Sequence, residues 1–175
     1  MNNKKIKIQK KLITEKKIHD RIKKMGAEIT KDYKGKQITA VCILKGGFVF
    51  FSDLARQIKL PMRCEFIGTS SYGNSKRSSG EVQLTLDTKF PIAGEHVIVF
   101  EDIVDSGITL SYILNLLKSR KPASIKLCSL LFKPERLKSE LKIDYIGFEI
   151  GKKFVVGYGM DYSGLYRNLP YVGVI

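Results

Sequence analysis

The stretch that most limits how this chain can fold runs from Val97 to Leu110: Val97-Ile98-Val99-Phe100, then Glu101-Asp102-Ile103-Val104-Asp105-Ser106-Gly107-Ile108-Thr109-Leu110. Four consecutive apolar residues leave no polar face, the pattern of a central parallel strand covered on both sides. Three acids and a Ser-Gly-x-Thr turn follow. Beyond the turn, Leu110, Ile113, Leu114 and Leu117 recur with the spacing of an amphipathic helix.

Strand, acidic rim, small-residue loop and helix N-terminus together make a phosphate cradle. A helix N-terminus presents unpaired N–H groups and the positive end of the helix dipole. Gly107 lets the backbone turn tightly enough to aim several of them at one anion, and Ser106 and Thr109 add hydroxyl donors. Asp105 would be repelled by a phosphate, so it is expected to face a cation or a group losing a proton. Glu101 and Asp102 precede the loop, where they can accept from sugar hydroxyls or hold the water shell of Mg²⁺. The G-x-x-x-x-G-K-[ST] spacing is absent, which excludes a Walker-type nucleotide loop.

Read in order, the chain repeats this theme. Ile18, Ile22, Met25 and Ile29 put one apolar face on a helix from Thr14, its N-cap, to about Tyr33. Ile38 to Leu44 reads as a buried strand ending in Lys45-Gly46-Gly47, a second anion cradle before a helix bearing Phe51, Leu54, Ala55 and Ile58. Arg63 to Gly68 reads as a strand, and the Ser/Gly-rich segment from Thr69 to Gly80, with Tyr72 its one aromatic, as a loop able to act as a lid. Glu81 to Leu86 returns as a strand. Ile125 to Phe132 is a further strand, with Lys133 at its end. In open α/β sheets ligands bind outside the C-terminal strand ends, so Lys45-Gly46-Gly47, the lid, the acidic motif and Lys133 are expected to converge. The tail has short strands at about Tyr145–Phe148 and Phe154–Tyr158, then Asp161, several tyrosines and Arg167. It is expected to form a small subdomain across one end of the sheet.

A chain of 175 residues suits one core, and no apolar run approaches a membrane span. The N-terminus is basic but is followed by no apolar segment of the kind a secretory signal needs. A cytoplasmic protein with no membrane partner is expected. Cys42, Cys64 and Cys128 sit in apolar runs without metal spacing, and are expected to be buried, inert thiols. His19 and His96 are isolated. The net charge of +14 could draw in nucleic acid or polyphosphates, yet many of the lysines cluster near the N-terminus as a solvated face. No nucleic-acid partner is expected from charge alone.

The segment Glu101-Asp102-Ile103-Val104-Asp105-Ser106-Gly107-Ile108-Thr109 resembles the phosphoribosyl pyrophosphate motif of the type I phosphoribosyltransferases, in the version of their hypoxanthine-guanine branch. Further motifs match in the family's order from about Ile38 to Ile175. Leu44-Lys45-Gly46-Gly47 resembles the pyrophosphate loop, where the Leu–Lys peptide is typically cis. Ser70-Ser71-Tyr72-Gly73 resembles the start of the mobile loop. Lys133 falls where the branch has a lysine donating to the exocyclic oxygen of a 6-oxopurine. Lys153 to Tyr158 with Asp161-Tyr162 resembles the purine-binding hood. The resemblance implies that Phe154 stacks on the base, that the Val155 backbone reads its edge, and that Asp161 joins Glu101 and Asp102 as a metal ligand. Arg167 would contact the pyrophosphate. Ile108 stands where relatives often carry Lys or a polar residue, which implies weaker or altered 5′-phosphate binding at most.

The implied fold is a single α/β phosphoribosyltransferase domain with a mainly parallel central sheet. Its core would span about residues 36–148, and its hood 149–175 with part of the N-terminus. The implied reaction transfers a 5-phosphoribosyl group to hypoxanthine or guanine with Mg²⁺ as cofactor, using Asp105 as base or electrostatic partner at purine N7, in a homodimer or homotetramer. Two alternatives stay open: an RNA-binding regulator on the same fold, and an enzyme preferring xanthine. Adenine offers an amino donor where Lys133 also donates, which argues against it.

Overall fold

The computed structural model describes residues 7–71 and 82–175. Strands β2 (Ile38–Leu44), β3 (Met62–Ser71), β4 (Val82–Leu86), β5 (His96–Val104), β6 (Ser124–Phe132) and β7 (Tyr145–Glu149) form a six-stranded sheet in the order β4-β3-β2-β5-β6-β7. Only the β3–β4 pair is antiparallel, so the sheet is mainly parallel, as expected. Helices α1 (Glu15–Asp32), α2 (Phe48–Ala55) and α3 (Ile108–Ser119) flank it.

Strand periodicity explains why β2, β5 and β6 need to be apolar on both sides. Ala40, Cys42, Ile98, Phe100, Cys128 and Leu130 join one cluster with α1 and α2. Val41, Ile43, Val97, Val99 and Leu127 join a second, with Leu110, Ile113, Leu114 and Leu117 of α3. Successive residues on one strand thus feed opposite layers. Thr14 caps α1, its side chain accepting from the Lys17 N–H.

A second sheet, ordered β1-β9-β8, joins β1 (Lys10–Ile13), β8 (Val155–Val156) and β9 (Val172–Val174). It joins two strands of the tail to an N-terminal strand of lysine-rich sequence. The tail strand is shorter than its sequence suggests, because Gly157 (φ +95°), Tyr158 (φ +51°) and Gly159 (φ +98°) turn the backbone out of the extended region.

Two further expectations need correction. Cys64 is exposed, unlike the buried Cys42 and Cys128. It lies on the same face of β3 as Phe66, where the eight-residue α2 covers less of the sheet, and Phe66 stays 38% exposed although it meets the Phe51 ring edge-on. Burial pushes the Cys42 thiol up to about 12 and the Cys128 thiol well above its usual value, so those two are inert as expected. In addition, Thr69, Ser70 and Ser71 continue β3 instead of opening a loop, pairing with Leu84, Gln83 and Val82. No described helix is long and apolar enough to cross a membrane.

Candidate active site

The acidic motif straddles a strand end. β5 runs through Val104, so Glu101 and Asp102 belong to the strand and not to the loop after it. Alternation therefore sends them to different sides. Asp102 lines a cavity of about 180 Å³ together with Asp105, Lys133, Phe154, Val155 and Asp161. Glu101 lines a neighbouring cavity of about 160 Å³ with Asp105, Ser106, Gly107 and Thr109. Ile103 and Asp105 border both.

The loop itself has the geometry its composition requires. Gly107, at φ +77°, is the left-handed N-cap of α3. A Cβ there would lie 2.4 Å from Ser139 Oγ, so the segment after β6 packs directly against the turn. The Lys138 N–H donates to the Ser106 carbonyl at 3.0 Å and fixes the same contact. Ile108 starts the helix pointing outward, 54% exposed, and does not line the loop cavity. The departure from the family pattern therefore lies off the cradle.

Lys133 is buried and donates to Asp105 Oδ2 at 3.0 Å. The next residues make a single 3₁₀ turn, Pro134–Arg136, in which the Arg136 N–H donates to the Lys133 carbonyl. Residues three apart in such a turn share a side. Arg136 Nε accordingly reaches the other Asp105 oxygen, Oδ1, at 2.6 Å. Sequence reasoning overlooked Arg136. The signal for it is the Lys-x-x-Arg spacing across Pro134.

On the opposite wall the Leu44–Lys45 peptide is cis. Gly46 lies so close to Asp102 that a Cβ would be 1.9 Å from its Oδ2. The hood closes on the same loop, for a Cβ on Gly159 would lie 2.1 Å from the Gly46 carbonyl oxygen. Arg167 holds this junction, with Nη1 donating to the Gly159 carbonyl at 2.6 Å and Nη2 paired with Asp161 Oδ1 at 2.6 Å. Phe154 is 53% exposed at the cavity, its ring edge-on to Tyr162, while Val155 is buried and registered with Val174. The hydroxyl of Tyr158 donates to Asp53 and ties the hood to α2.

Glu101, Asp102 and Asp161 do not assemble into one ligand set: among the described residues no three acids, histidines or cysteines cluster around a point that could hold a metal. Alternation on β5 sets Glu101 on the far cavity, and Asp161 is engaged by Arg167 and the Gly164 N–H. Electrostatics nevertheless favour a cation. Burial, then the adjacent Asp102 charge, push the Glu101 carboxyl well above the usual carboxylate range. Burial also raises Asp102, opposed by hydrogen bonds from Glu101 and the Ile103 N–H. A buried carboxyl and its partly buried neighbour resist carrying two negative charges together. A divalent cation removes that penalty, and Mg²⁺ characteristically takes one or two protein carboxylates plus substrate oxygens. The residues fit Mg²⁺ bound through substrate better than a dedicated protein cage.

Of the expected lid residues, Ser70 and Ser71 close β3 against β4, and Tyr72 lies outside the described residues. Of the other sequence-derived positions, Asp102, Asp105, Lys133, Phe154, Val155 and Asp161 line one cavity and Glu101, Asp105, Ser106, Gly107 and Thr109 the adjoining one, with Gly46 against Asp102 and Arg167 on Asp161; Ile108 lies outside both.

A mainly parallel sheet with a glycine-turned helix N-terminus at its central strand end and a small hood beside it places the cavities where open α/β sheets bind their ligands. Residues 9–163 match the phosphoribosyl transferase domain, and the chain belongs to that family. It is 45% identical over 168 residues to the hypoxanthine-guanine phosphoribosyltransferase of Bacillus subtilis, covering 96% of this chain and 93% of that one. It is 46% identical over 167 residues to the hypoxanthine phosphoribosyltransferase of Haemophilus influenzae, covering 94% and 93%. The crystal structure of a hypoxanthine phosphoribosyltransferase from Staphylococcus aureus superposes with a TM-score of 0.92 at 43% identity, over 96% of this chain and 91% of that one.

Proposed function

We propose that the chain is a purine-salvage glycosyltransferase, which moves the 5-phosphoribosyl group of phosphoribosyl pyrophosphate to hypoxanthine or guanine and yields IMP or GMP plus pyrophosphate. The observation that carries this reading is the Lys133–Asp105 pair, 3.0 Å apart and walled by Phe154 and Val155. A 6-oxopurine presents an oxygen acceptor and a ring N–H side by side on one edge, and a lysine beside a carboxylate is the complementary pair. Phe154 offers the base an aromatic face to stack on, and the Val155 backbone reads the edge that distinguishes guanine, hypoxanthine and xanthine.

Ser106, Gly107, Thr109 and the first turn of α3 hold the 5′-phosphate. Glu101 and Asp102 accept from the ribose hydroxyls. Lys45, Gly46 and Arg167 take the pyrophosphate. Mg²⁺ would neutralise the leaving group, held mainly by substrate oxygens, with Asp102 the one protein carboxylate of the base cavity free to join it. Positive charge develops at the sugar carbon as the glycosidic bond breaks, and the surrounding carboxylates stabilise it. Asp105 holds the purine N7 and accepts its proton as the new C–N bond forms.

The hood, about residues 149–175 with the N-terminal strand, carries the base, and the core of about 36–148 carries the sugar phosphate. We place the enzyme in the cytoplasm as a homodimer or homotetramer. The test is direct: purified protein with phosphoribosyl pyrophosphate, Mg²⁺ and hypoxanthine or guanine should form nucleotide. Absence of product with either base overturns the assignment, and a salt-sensitive RNA complex would then favour a regulator.

A further inference from the structure

The geometry points to Arg136 as a positioning residue for the purine half of the reaction: it is the cation that stays on Asp105 when Lys133 leaves to meet the base. This rests on Asp105 and Lys133 serving the purine as proposed above. Each Asp105 oxygen has its own cation, Lys133 Nζ on Oδ2 at 3.0 Å and Arg136 Nε on Oδ1 at 2.6 Å. The two cations are not equivalent. Lys133 is buried and faces the base cavity, whereas Arg136 is about half exposed and lines neither cavity. Arg136 reaches Asp105 from outside the site and touches no substrate.

A 6-oxopurine can seat only if Lys133 turns from Oδ2 to the exocyclic oxygen, leaving Oδ2 for N7. Asp105 would then be left with a single neutralising group. Its Oδ1 is closed off from solvent and has no hydrogen-bond donor in good geometry among the described residues, so that group is the Arg136 guanidinium. A guanidinium this close to Oδ1 offsets the charge of the carboxylate from one side and leaves Oδ2 free for the base. Without Arg136, the cost of stripping Lys133 from Asp105 falls on purine binding, because a carboxylate losing its last cation in a partly buried site is penalised. The turn Lys133-Pro134-Glu135-Arg136 thus sets both cations around Asp105, one to be released and one to remain.

Steady-state kinetics of Arg136→Gln, Arg136→Lys, Asp105→Asn and the Arg136→Gln/Asp105→Asn double variant test this, with equilibrium binding of phosphoribosyl pyrophosphate measured in parallel. Arg136→Gln should raise the purine KM about tenfold and lower kcat several-fold, while affinity for phosphoribosyl pyrophosphate stays within about twofold. Arg136→Lys should recover most of the loss. In the Asp105→Asn background the Arg136→Gln substitution should change purine KM by less than about twofold, because the residue acts through Asp105. An unchanged purine KM in Arg136→Gln overturns the inference, as does an equal loss in both backgrounds or an equal loss of phosphoribosyl pyrophosphate affinity. Near-normal turnover by Asp105→Asn alone would instead overturn the role given to Asp105, a result distinguishable from the others.

Discussion

At the residue scale, the active site is governed by how few atoms separate its charges. Asp105 sits between two cations and borders both cavities, so no other carboxylate in the motif is as well placed to meet a base and a sugar at once. Asp105→Asn keeps the shape and removes the proton acceptor, and should lower kcat by about 10²–10⁴-fold with the fold unchanged by circular dichroism. Near-normal kcat would remove Asp105 from the chemistry. Gly46 makes a steric statement of the same kind. With Asp102 Oδ2 lying 1.9 Å from where a Cβ would stand, Gly46→Ala must displace either the loop or the carboxylate. Its expected signature is a rise in the KM for phosphoribosyl pyrophosphate of at least about tenfold, with a smaller effect on the purine KM.

At the element scale, short polar ties hold the layers in register. Arg120, just after α3, donates from Nη1 to Asp87 Oδ1 at 2.7 Å and from Nη2 to Asp87 Oδ2 at 2.6 Å, which ties the helix to the chain leaving β4. The Arg120 hydrogen bond lowers the Asp87 carboxyl below its ordinary value. A carboxyl depressed on folding stabilises the native state above its unfolded value, and that contribution disappears as pH falls through the folded value. Arg120→Ala should therefore cost about 0.5 kcal/mol at neutral pH, a surface-pair magnitude, and the gap from the parent should shrink in denaturant melts as pH falls below the ordinary carboxyl range. A gap independent of pH would assign the loss to packing instead. The elements readable in the sequence were those with one dominant pattern. The apolar strands β2, β5 and β6 and the helix stripes of α1 and α3 lie where periodicity puts them. What escaped were segments ordered by partners distant in the chain: β1, whose Lys10 and Lys11 pair with Val174 and Gly173, and Thr69 to Ser71, which become strand only because β4 lies alongside. Polar strands at an edge carry no alternation signal of their own.

At the scale of the whole molecule, function depends on a hood docked onto a parallel sheet at very close range. Gly159 meets the Gly46 carbonyl, Arg167 bridges Gly159 and Asp161, and Tyr158 reaches Asp53 on α2. The base site and the pyrophosphate loop thus share one seam. Gly159→Ala, strained at φ +98° and clashing with Gly46, should impair the KM for purine and for phosphoribosyl pyrophosphate together. Its cost in stability should be only about 1–3 kcal/mol by thermal melting. A selective effect on one substrate would show that the two halves are independent. The site residues were visible in sequence as a list of motifs at strand ends. Their pairing was not: neither the Lys133–Asp105–Arg136 arrangement nor the assignment of Glu101 and Asp102 to different cavities follows from spacing until strand faces and turn geometry are known.

The central claim is that a buried lysine next to a carboxylate selects a 6-oxopurine, and the ratio of kcat/KM for hypoxanthine to that for adenine tests it most directly in the parent and in Lys133→Met. Adenine sets an amino donor against the Lys133 donor, so the parent should favour hypoxanthine by at least about 10³-fold. Lys133→Met should reduce that ratio by about 10²-fold, through loss of hypoxanthine turnover and not gain of general activity. Comparable use of adenine by the parent, or an unchanged ratio in Lys133→Met, would contradict the account.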